Sequence, residues 1–113
     1  MSDGRDALWD EFAAAMLPLG PVSERESRYG DKPALVIDNR EIAHLEAPGI
    51  IDLRITQAGW SQTRDRFGAD PAVRKQKSRR DWLELRLESA ADLSRLAPLL
   101  AVAVASNAGP RPR

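Results

Sequence analysis

Arg40-Glu41-Ile42-Ala43-His44-Leu45-Glu46, the break Ala47-Pro48-Gly49, and then Ile50-Ile51-Asp52-Leu53-Arg54-Ile55 form the stretch that decides the fold. Polar and apolar residues alternate on both sides of the Pro-Gly break, the period of a half-buried strand, so the stretch reads as an antiparallel hairpin. Parity then sets its register. A three-residue turn at 47–49 pairs Glu46 with Ile50, His44 with Asp52 and Ile42 with Arg54, whereas a two-residue turn sets core residues opposite outer ones.

Outward from the hairpin, Val22 to Tyr29 and Pro33 to Ile37 have the same period and extend it into a meander. The strictest alternation is Asp81-Trp82-Leu83-Glu84-Leu85-Arg86-Leu87-Glu88, a further strand. Helical spacing appears in three places. Leu8, Phe12 and Ala15 recur after a cap at Ser2 or Asp3. Trp60, Thr63 and Phe67 follow a cap at Thr56 and stop at Gly68. Leu93, Leu96, Leu100, Ala103 and Val104 follow Ser89 and Asp92, which have capping-box spacing. Pro98 lies inside this last helix, where it removes an amide and predicts a kink.

The predicted fold class is therefore α+β: an antiparallel sheet of about five strands with three helices packed on one face, in the order α-β-β-β-β-α-β-α. Residues 1–108 are read as a single domain and 109–113, which lack an apolar side chain to dock, as a disordered tail. Leu35, Ile37, Ala43, Leu45, Ile51, Leu53, Ile55, Leu83, Leu85 and Leu87 form the face under the helices, with Trp9 and Trp60 as core aromatics. The opposite face then carries Ala34, Val36, Ile42, His44, Glu46, Ile50, Asp52, Arg54, Trp82, Glu84, Arg86 and Glu88. That face is too apolar to be simply solvated, so a ligand, a loop or a second subunit is expected to cover it.

Seventeen basic and seventeen acidic residues cancel over 113 residues, which excludes a general polyanion binder. The balance is uneven: 1–50 holds five basic against ten acidic residues and 51–113 holds twelve against seven. Without cysteine there are no disulfides, thiolate metal sites or thiol nucleophiles. No signal-like or membrane-spanning run occurs, so the expected compartment is the cytoplasm. Gly-rich phosphate loops and nucleophile elbows are missing too, which removes most nucleotide-dependent and hydrolase chemistries.

The single histidine, His44, is the group whose ordinary pKa allows acid–base chemistry near neutrality. Opposed strand residues have β-carbons about 5 Å apart, so Asp52 can orient its ring. His44 and Asp52 are accordingly the candidate catalytic pair. Arg54, Trp82, Glu84, Arg86, Glu46 and Ile42, on the same face by parity, are the candidate ligand contacts. His44, Glu46 and Asp52 could ring a metal, but one histidine with no cysteine argues against it, and neither metal nor cofactor is expected. Arg74, Lys75, Lys77, Arg79 and Arg80 make a basic loop that could grip phosphates. Single-strand binding wants aromatics among such residues, and none occurs between Pro71 and Asp81.

The run Arg40-Glu41-Ile42-Ala43-His44, with Asp52-Leu53-Arg54, Gly59-Trp60 and Asp81-Trp82-Leu83-Glu84-Leu85, resembles the luciferase-domain family over about residues 22–107. The resemblance implies a stand-alone domain of the short bacterial type, without the membrane anchor of the fungal enzyme. It also implies binding of a small aromatic or polyketide-like molecule, such as the hydroxylated pyrone that fungal luciferase oxidises with molecular oxygen and without metal or flavin. Glu46 stands where the family commonly has a second histidine. Two other classes remain open: a homodimer that buries the outer sheet face, and nucleic-acid binding through 74–80, the latter also suggested by the element order of small double-wing proteins.

Overall fold

The computed structural model describes residues 7–27 and 30–108. The expected N-terminal cap, the strand end at Tyr29 and the tail 109–113 lie outside the described residues. The elements are α1 (Ala7–Met16), β1 (Ser23–Glu26), β2 (Pro33–Ile37), β3 (Arg40–Ala47), β4 (Ile50–Arg54), α2 (Thr56–Phe67), β5 (Val73–Lys75), β6 (Trp82–Arg86) and α3 (Ala90–Asn107), with a 3₁₀ turn at Leu17–Leu19. The strands form one sheet in the order β1-β2-β3-β4-β6-β5, each pair antiparallel. The fold class is the expected α+β, with six strands rather than about five. The additional strand, Val73–Lys75, lies within the stretch read as a basic loop. Three residues are too few to show a period, and its pairing to β6 supplies the order that its own pattern does not.

The ten apolar residues assigned to the helix-covered face all lie in one core with Trp9, Phe12 and Met16 of α1, Phe67 of α2 and the leucine stripe of α3. α3 packs on both other helices and on β4, so it is the layer's central element. Its start is the expected capping box: the Asp92 carboxylate accepts the amides of Glu88 at 2.8 Å and Ser89 at 3.3 Å. The helix continues through Pro98 to Asn107. The Thr56 hydroxyl accepts the Gly59 amide at 3.0 Å, the capping role its position suggests. Thr56 has φ 65°, unusual for a β-branched residue, and Asp81 holds it there by accepting the Ile55 and Thr56 amides on its carbonyl oxygen. A Cβ on Gly59 would stand 3.1 Å from Ser106 and 3.3 Å from Val102, so the glycine lets α2 approach α3 closely.

Two irregularities in β3 decide which side chains share a face. At its start, Asp38 and Asn39 have φ of 51° and 69°, a two-residue turn that pairs Ile37 with Arg40. Regular counting from that turn would set the core residue Leu35 opposite Ile42. Instead Val36 pairs with Glu41 and Leu35 with Ala43, leaving Ile42 as an extra, bulged residue. Ile42 is fully buried in the core beside Ala43, which corrects its expected place on the outer face. The bulge restores the apolar register at the cost of the strand's parity, so Glu41 rather than Ile42 joins His44.

At the other end, Ala47 pairs with Ile50 around a Pro48-Gly49 turn, and Glu46 is the unmatched residue. The expected three-residue turn is thus a two-residue turn with a bulge, and the expected Glu46–Ile50 and Ile42–Arg54 pairs do not form. Beyond the bulge the two counts coincide, and His44 stands opposite Asp52. Gly49 has φ 74°, and a Cβ there would meet the Leu87 carbonyl oxygen at 2.8 Å, so this turn requires glycine. No helix among the described residues is long and apolar enough to cross a membrane.

Candidate functional site

His44 projects from the middle of β3 onto the outer face, its side chain 16% exposed. Its Nε2 lies 3.0 Å from Asp52 Oδ2 and 3.3 Å from Glu46 Oε1, and its Nδ1 lies 3.5 Å from Glu41 Oε1. The ring leans on Trp82, centroids 5.6 Å apart and planes at 48°. Asp52 is only 5% exposed and needs its partners. Gln76 Nε2 donates to its Oδ1 and Arg79 Nη1 to its Oδ2, both at 3.1 Å. The guanidinium of Arg79 also lies 4.2 Å from the centroid of the Trp82 ring. The connection from Gln76 to Arg80 is therefore folded across the outer face and pinned to it: the Gln76 amide donates to the Trp82 carbonyl and the Trp82 amide to the Arg79 carbonyl.

The hydrogen bond to Asp52 raises the His44 pKa above its ordinary 6.5; burial works against it, and the charges of Asp52, Glu41 and Glu46 add to the rise. For Asp52, burial pushes the pKa up, but His44 and Arg79 outweigh it and the result is lowered. His44 is thus held toward the imidazolium, with a carboxylate near each ring nitrogen. A raised folded-state pKa contributes stability that is full below the unfolded value and fades as pH rises through the folded value. The stability margin of the wild type over His44→Gln, from urea unfolding, should therefore be largest at about pH 6 and shrink toward about pH 9. A margin that grows over that interval would contradict the ion-pair geometry.

One donor atom each from His44, Glu46 and Asp52 lies within 4.8 Å of the others, a spacing that could ring a cation. The surroundings suit a proton better. Arg79 already occupies Asp52 Oδ2, the oxygen nearest Nε2, and a guanidinium there repels a metal ion.

Next to His44 the outer face opens into a cavity of about 720 Å³ lined by Asn39, Arg40, Glu41, His44, Arg54, Arg79 and Trp82. Of the residues singled out in the sequence, His44, Arg54, Trp82 and Arg79 come together here, and Asp52 supports the site beside them. Arg54 is clamped: Nη2 donates to Asp81 Oδ2 at 3.1 Å, Nη1 donates to Asn107 Oδ1, and Asn107 Nδ2 donates to the Arg54 carbonyl. Glu46 is 56% exposed and reaches back to His44. Glu84 stands opposite Asp52 across β4 and β6 but pairs with Arg86 at 2.8 Å. Arg86 lines a separate depression with Gly49 and Arg95. Ile42 is in the core. Arg74 and Lys75 belong to β5, where Arg74 faces Glu84, and Lys77 and Arg80 do not line the cavity.

Sequence reasoning passed over Asn39, Arg40, Glu41 and Gln76. For Glu41 a signal existed: the Asp38-Asn39 pair suits a two-residue turn, and counting from it contradicts the face assignment of Leu35 unless β3 bulges. Glu41 Oε1 accepts the Ser27 hydroxyl at 2.8 Å, while Oε2 is buried with no hydrogen-bond partner among the described residues. Comparison of the chain with protein-family models, curated proteins and solved structures gave no match.

Proposed function

We propose that the outer-face cavity binds a small aromatic or polyketide-like molecule, with His44 as its polar anchor and proton carrier. The observation that carries this reading is the setting of His44: Asp52 holds Nε2, while Nδ1 has Glu41 only at 3.5 Å, beyond a good hydrogen bond, and His44 and Glu41 line the cavity. Nδ1–H is therefore available to a ligand oxygen. Trp82 supplies an apolar wall of the cavity, and the Arg79 guanidinium lies 4.2 Å from its ring centroid.

A raised pKa also makes the neutral form of His44 a stronger base than ordinary imidazole. The luciferase-domain resemblance extends the reading to an enol substrate. His44 would take the enol proton, and the resulting enolate, electron-rich, would react with oxygen directly. Asp52 would steady the imidazolium so formed.

Binding of 4-hydroxy-6-methyl-2-pyrone, followed by ligand-observed NMR and by tryptophan fluorescence, tests the site. His44→Gln should weaken it about tenfold, the worth of one charge-assisted hydrogen bond. Unfolding measured at alkaline pH, where the imidazolium no longer contributes, should be nearly unchanged. Binding that survives both His44→Gln and Trp82→Ala would sink the proposal.

A further inference from the structure

We infer that Arg40 selects the charge of the ligand, and that the cavity takes a flat oxyanion, either an aryl carboxylate or the enolate of a vinylogous acid. This rests on the binding role proposed for the cavity and adds what the ligand must carry. The cations in the cavity wall are not equivalent. Arg54 is paired with Asp81, Arg79 with Asp52, and His44, through Nε2, with Asp52 and Glu46. Arg40 lines the same wall and makes no ion pair with any described residue. It is an exposed guanidinium whose backbone is held by pairing with Ile37 next to the Asp38-Asn39 turn. Asn39 lines the wall as well, and because its Oδ1 accepts from Arg25 Nη1 at 2.8 Å, its side-chain amide N–H groups remain as donors.

The wall facing a ligand is therefore made of donors: Arg40, the Asn39 amide and His44 Nδ1–H. Its one carboxylate, Glu41, gives Oε1 to the Ser27 hydroxyl close to the imidazole, and its Oε2, which has no hydrogen-bond partner among the described residues, is buried. A neutral ligand would leave Arg40 without a counter-charge. A planar oxyanion satisfies it, because a guanidinium presents a rigid fork that matches two oxygens in one plane. The Trp82 wall requires that the oxyanion be attached to a flat ring.

The test compares charged probes with uncharged counterparts: benzoate against benzamide, and 4-hydroxy-6-methyl-2-pyrone against its 4-methoxy ether, titrated by NMR at neutral pH. The wild type should favour each anion about tenfold over its neutral partner. Arg40→Gln should bring that preference to within about twofold while leaving the neutral probes' affinity alone, and Arg40→Lys should restore part of it. Arg74→Gln, on the edge strand, should leave it intact. The larger preference between the two pairs tells the carboxylate from the enolate. Equal binding of charged and neutral probes, or a preference that persists in Arg40→Gln, overturns the inference and leaves the cavity's binding role standing if His44→Gln still weakens binding. Failure of every probe to bind overturns both.

Discussion

Asp52→Ala should lower the unfolding free energy by about 3 kcal/mol, the low end of the cost of removing one partner from a buried charged group. Asp52 is nearly inaccessible and receives Gln76, Arg79 and His44 together, so its loss leaves three groups from two chain segments without their shared acceptor. Arg79, at 40% exposure, can turn to solvent, which holds the effect near the lower limit. The connection across the outer face should loosen as well. Amide exchange at Gln76 and Trp82, whose amides close that connection, should quicken more than exchange in β3. The same variant removes the largest influence raising the His44 pKa, so the imidazole should titrate lower by NMR. A loss below about 1 kcal/mol, or an unmoved His44 titration, would mean that Asp52 is not the hub of the site.

Ile42→Glu should abolish cooperative folding. Ile42 is fully buried among apolar residues, so the variant loses an aliphatic side chain, worth about 2–5 kcal/mol in a core, and also buries a carboxylate with no partner. Together these approach the whole stability of a small domain, about 5–15 kcal/mol. Ile42→Val should stay folded at a cost of about 1 kcal/mol, which separates loss of packing from buried charge. Circular dichroism and urea unfolding decide the matter. A folded Ile42→Glu protein with a near-wild-type midpoint would place Ile42 on the outer face, as unbroken strand alternation implies, and would refute the bulge.

The candidate site was only partly legible. His44 and Asp52 could be set opposite each other from parity alone, because the three-residue count and the observed bulged hairpin agree at that position. Arg54 and Trp82 followed from the same face. Glu41 did not, since the bulge reverses the side on which it lies. Arg79 looked like one of five interchangeable cations between 74 and 80; nothing local distinguishes it from Arg80. Glu84 and Arg86 share the outer parity of β6, yet they pair with each other away from the cavity, because face says nothing of position along the strand.

What the sequence by itself determined is the division of the sheet into a helix-covered face and an outer face, and the helices that cover the first. Burial enforces these locally: a side-chain period of two or 3.6 ties each residue's chemistry to its side of the element. Tertiary structure decided the bulge at Ile42, which the Asp38-Asn39 turn only signals, and by itself the strand at Val73–Lys75 and the placing of Gln76 and Arg79 on Asp52. Each of these satisfies a demand set by a distant segment. The β2–β3 turn and the core register conflict and only an extra residue reconciles them, β5 exists through its pairing with β6, and a buried carboxylate on β4 takes its donors from a connection 24 to 27 residues away.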